Sequence, residues 1–75
     1  MDTEHLVSMT NDISAFFATD GTADVAVEKI RNHLQMFWDP RMRTAIIRHL
    51  AAGGEGLNPL VRAAVAQLKP PKSAA

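Results

Sequence analysis

Seventy-five residues with no net charge and no cysteine make one small domain, and the missing thiols exclude disulfides, thiolate metal sites and cysteine-held iron–sulfur clusters together. An apolar content of 47 % suits a globular fold rather than a disordered tail, and no apolar run approaches the roughly 20 residues that cross a bilayer. A chain this short buries only about 60 % of the surface its unfolded form exposes, so its stability has to come from regular helix packing or from association.

The opening stretch, MDTEHLVSMTND, is acidic and lacks a positive region ahead of an apolar one, so it does not read as a secretory signal and a cytoplasmic location is expected. Thr3 is the expected cap of a first helix reaching about Thr19. Its apolar positions Leu6, Met9, Ile13, Phe16 and Phe17 form one stripe at a period of about 3.6 residues. The glycine of TDGT (Thr19 to Thr22) suits a helix end, and Thr22 suits the next N-cap. A second helix is expected to run to about Trp38, with Ala23, Ala26, Val27, Ile30, Leu34 and Phe37 on one face and Trp38 flanking it. Asp24 and Glu28 precede Lys29 and Arg31, the order the helix dipole favours.

Asp39-Pro40 opens a third helix, because the aspartate oxygen can accept from free amides and proline at the first helical position loses no hydrogen bond. Met42, Ala45, Ile46, His49 and Leu50 form its inward stripe, with Arg41, Thr44 and Arg48 opposite, and the glycine pair at 53–54 ends it. Asn58-Pro59 repeats the device ahead of a short fourth helix striped by Leu60, Val61, Ala64, Val65 and Leu68. Pro70 and Pro71 terminate that helix and KSAA reads as a loose tail. The expected fold is therefore all-α: a small bundle of four short helices in a single domain over residues 1–69, with a flexible tail at 70–75. Short connections predict antiparallel or steeply crossed neighbours.

No catalytic constellation emerges from these elements. His5, His33 and His49 sit on different predicted helices with no second ligand three or four residues away, and lone histidines near an apolar face more often serve as hydrogen-bonded boundary residues than as ligands. Ser8 and Ser14 have no local base. The glycine-rich AAGGEGLNP (Ala51 to Pro59) is followed by no lysine, and its glycine pair is accounted for as left-handed caps. No catalytic, cofactor-binding or metal-ligating residue is expected, and the chain is not read as an enzyme.

The charge is unevenly distributed. Residues 1–30 hold six acids against Lys29 alone, a net −5, and residues 31–75 hold seven cations against Asp39 and Glu55, a net +5. Packing of one half on the other explains this most simply; a basic half can also meet nucleic acid. Two helices around a glycine turn superficially resemble a helix-turn-helix. The turn is longer than usual, however, and only Arg62 and Gln67 could read bases from the fourth helix. A nucleic-acid-binding helical module is thus the alternative reading, with self-association of the isolated chain a third.

Association is favoured by the apolar residues that fall off their stripes, Val7, Val25, Met36 and Ile47, and by the stretch FWDPRMR at residues 37–43. Tryptophan, methionine and arginine are enriched at protein–protein interfaces. The expected partner-binding neighbourhood is Phe37, Trp38, Arg41, Met42, Arg43 and Arg48. Trp38 is its anchor, the arginines pair with carboxylates, and Phe37 and Met42 support the patch from inward stripes.

FWDPRMR followed closely by HLAAGGEGLNPLVRAAVAQL, together with the opening HLVSMTNDISAFF (His5 to Phe17), resembles the delta subunit of soluble NAD-dependent formate dehydrogenases of the molybdenum or tungsten multi-subunit type. The resemblance covers about residues 5–68. It implies that larger subunits carry the pterin-bound metal, the clusters and the flavin. This chain would then be a small accessory piece that supports assembly or stability of the complex, with no catalytic residue of its own.

Overall fold

The computed structural model describes residues 2–19 and 21–69. Their order is α1 (Thr3–Phe17), α2 (Ala23–Phe37), α3 (Pro40–Ala51) and α4 (Pro59–Ala66), with no strand among the described residues. Asp20, the expected stop at Pro70 and Pro71 and the expected tail at 70–75 lie outside them.

Each helix begins on a side-chain cap. Thr22, Asp39 and Asn58 accept from the amides of Val25, Met42 and Val61, so three expected N-caps are in place, and Pro40 and Pro59 each open their helix. The first cap differs from expectation. Asp2, not Thr3, accepts from the Glu4 amide, because Asp2 has the extended backbone of a cap and Thr3 is already helical. α1 also stops at Phe17 rather than near Thr19, and α4 stops at Ala66.

α4, the shortest helix, packs most extensively on α2 and also touches α1 and α3, so it forms the centre of the domain rather than an appendage. The core comprises Leu6, Ile30, Leu34, Trp38, Ile46, Leu57, Val61, Ala64, Val65 and Leu68. Removal of such side chains from water is the main stabilising term, roughly 1.5–3 kcal/mol for each large one. Val7 and Ile47, expected as strays, are half-buried and pack against this core.

On α1 the fully buried line is Leu6, Thr10 and Ser14, one turn apart, rather than the apolar stripe alone. Met9, Ile13 and Phe17 are half-buried beside it. Ser14 and the half-buried Asn11 face the glycine loop, whose polar groups need hydrogen-bond partners. Asn11 Nδ2 donates to the Gly56 carbonyl at 2.8 Å, and the Asn58 amide donates to Asn11 Oδ1 at 3.2 Å. Ser14 Oγ and the Asn58 carboxamide exchange bonds at 3.1–3.2 Å, while Thr10 Oγ1 donates to the Val7 carbonyl. One helix is thereby fastened to a loop more than forty residues away.

The loop is also held from its own side. Arg62 donates from Nη2 to the Gly54 carbonyl at 2.8 Å and from Nε to the Leu57 carbonyl at 3.2 Å. Gly54 has a left-handed φ of +64°, and a Cβ there would lie 3.0 Å from Leu50 Cδ1 and 3.1 Å from Arg62 Nη1. Both the backbone and the close approach call for glycine at this position.

Candidate partner-binding surface

The FWDPRMR stretch forms the corner between α2 and α3. Helix α2 ends at Phe37, and the backbone at Trp38 is extended, with ψ 138°. The helical step of about 100° per residue therefore no longer directs the Trp38 side chain, and the indole is buried at 5 % exposure among the core residues. The expected surface anchor is inside the fold. Asp39 and Pro40 cap and open α3. Arg43, one turn into α3, donates from Nη1 to the Trp38 carbonyl and to the Gln35 carbonyl, the latter at 3.3 Å. A cation is thus placed on the orphan carbonyls and negative dipole end of α2. Its Nε is buried without an acceptor, so this bridge carries a desolvation cost. Met42 is half-buried against the core, as its stripe predicts, and Arg41 and Arg48 are exposed.

Phe37 reverses its expected role. It shares the face of Ile30, yet it is 71 % exposed. The cause is the length of α1. Phe17, the last residue of α1, lies against His33 with ring centroids 6.2 Å apart, and His33 is one turn short of Phe37. The apolar face of α2 continues beyond the helix that covers it. Phe37 in turn lies 4.9 Å from His33, and Phe16 meets Phe17 edge-on at 5.2 Å. Phe16, Phe17, His33 and Phe37 thus form a continuous row of rings across the ends of α1 and α2.

Phe16, expected in the α1 stripe, is 74 % exposed because it points about 100° round the helix from Phe17. Met36 is 75 % exposed, and Val25 is also exposed. Phe16 is the surface residue that stripe counting missed. The available signal was its place at the stripe edge in the final turn of the helix.

The remaining candidates are engaged within the fold. Arg62 holds the glycine loop, and Gln67 Oε1 accepts from Arg31 Nη1 at 3.1 Å, so neither would-be base reader of α4 projects freely. His49 Nε2 hydrogen-bonds the Glu55 carbonyl at 2.7 Å, in a hollow also lined by Thr3, Glu4, Val7 and Gly56. His5 is exposed on α1. Among the described residues no three of His, Cys, Asp and Glu gather as a metal ion would require, and no helix is long and apolar enough to cross a membrane.

A family model, NADH-dependent formate dehydrogenase delta subunit FdsD, matches residues 5–65. The chain belongs to that family. No match was found to a curated protein or to a solved structure. The span shared with the delta-subunit family takes in the α2–α3 corner, the glycine loop and the row of rings alike. Within it, the two stretches that carry the resemblance most plainly are occupied with turning the chain. Of the exposed rings, Phe37 opens the first of these stretches and Phe16 lies near the end of α1.

Proposed function

We propose that the chain is a non-catalytic accessory subunit, located in the cytoplasm, that attaches to the larger subunits of an NADH-dependent formate dehydrogenase and supports their assembly or stability. The observation that carries this reading is the exposure of Phe37 on the helix face that buries Ala26, Ile30 and Leu34. A soluble domain gains nothing by itself from an uncovered phenylalanine continuing its core stripe, whereas a docking subunit does. Family membership supplies the complex. In this reading Phe37, Arg41 and Arg48 contribute to the contact, with the arginines meeting carboxylates of the partner. Trp38, Met42 and Arg43 hold the corner on which they are displayed.

The test is affinity purification of the chain from its host, followed by expression of the larger subunits without it. The larger subunits are expected to co-purify, and formate-oxidising activity is expected to decay faster on warming when the chain is missing. Purification of the chain alone, or a complex equally abundant and equally durable without it, would refute the proposal.

A further inference from the structure

We infer that the cleft at the ends of α1 and α2 receives an arginine side chain from one of the larger subunits. This deepens the accessory-subunit reading and rests on it. The cleft has a volume of about 370 Å³ and is lined by Asp12, Ile13, Phe16, Phe17 and His33. Its walls are almost entirely apolar. Three of its five lining side chains are rings of the Phe16–Phe17–His33–Phe37 row. The one charged residue of the lining is Asp12, exposed and one helical turn before Phe16.

This combination selects the occupant by charge. Aromatic faces attract a cation, and arginine above others, because its planar guanidinium is weakly hydrated and stacks on rings. A carboxylate beside the rings adds a charge-assisted hydrogen bond for the same group, in the paired geometry guanidinium suits. An aliphatic side chain would satisfy the walls and leave Asp12 partly desolvated without a partner, which costs free energy.

A second copy of this chain fits less well. The exposed parts of Phe16 and Phe37 amount to roughly 300 Å², against about 800 Å² on each partner in an ordinary stable interface. In a two-fold pairing each copy offers the same patch to the other. The cleft lining includes no lysine or arginine to meet the other copy's Asp12. The rings are instead suited to the buried centre of a contact with a larger surface.

The experiment uses larger subunits prepared from a host lacking this chain, with purified full-length chain titrated against them at two salt concentrations. Asp12→Asn is expected to weaken binding about tenfold and to flatten its salt dependence, and Asp12→Lys about a hundredfold. Phe16→Ala combined with Phe37→Ala is expected to weaken it by about a hundredfold as well. Unchanged melting of the exposed-site variants shows that the fold is intact. A photoreactive benzophenone amino acid at position 16 is expected to cross-link a partner peptide containing an arginine. Wild-type affinity of Asp12→Lys overturns the inference, as does wild-type affinity of the double phenylalanine variant. An isolated dimer that the phenylalanine variant dissolves overturns it too, in favour of self-association. If the unaltered chain fails to bind, the accessory-subunit reading falls first and this inference falls with it.

Discussion

The α2–α3 corner and the row of rings meet at adjacent residues, Trp38 and Phe37, and have opposite character. The corner carries the distinctive letters of the sequence, an indole, a proline and two arginines within a few positions, and it directs the indole inward and Arg43 onto its own backbone. The row of rings is assembled from plain phenylalanines and a histidine on two different helices, and it faces solvent at both ends. Local distinctiveness here marks a difficult backbone manoeuvre. The uncovered surface is marked by core-type residues that outrun their cover.

Substitutions should separate the two regions cleanly, since corner residues are expected to govern stability and ring residues to govern association. The largest effect is expected at Trp38. Removing a buried indole costs about 3–5 kcal/mol, comparable with the whole stability of a domain this small, so Trp38→Ala should be largely unfolded by circular dichroism at 25 °C. A cooperative melt within a few degrees of wild type would show that the corner does not depend on it. Asn58→Ala removes both a helix cap and the partner of Ser14, and about 2 kcal/mol is expected from chemical denaturation. Gly54→Ala meets a left-handed backbone and the Arg62 guanidinium, with an expected loss of about 1–2 kcal/mol by the same measurement. Smallest is Phe37→Ser, expected to change stability by less than about 0.5 kcal/mol while weakening capture of the larger subunits. A large loss of stability there would move Phe37 back into the core and dissolve the contrast.

Much of the fold was legible in the sequence because its punctuation is local. Thr22, Asp39-Pro40, Asn58-Pro59 and the glycine pair each act within one turn, and each marks the boundary it was expected to mark. The surface was less legible, because exposure depends on where a neighbouring helix happens to stop. Phe37 continues the Ile30 face by period, and nothing within α2 records that α1 ends against His33. Trp38 is the converse case. A wheel drawn through α2 projects it sideways, but the helix has already ended and the extended backbone turns it inward. The buried Ser14 was hidden for a third reason, since its partner, Asn58, lies far along the chain.

That last tie has a kinetic consequence. Helical proteins usually fold quickly because their contacts lie close together in sequence. Here the first helix completes its hydrogen bonds only when Gly56 and Asn58 arrive, so the chain must close a loop spanning more than half its length before its opening segment is secured. Slower refolding than that of a simple helical hairpin follows, and a chain cut before Asn58 would lose its beginning as well as its end.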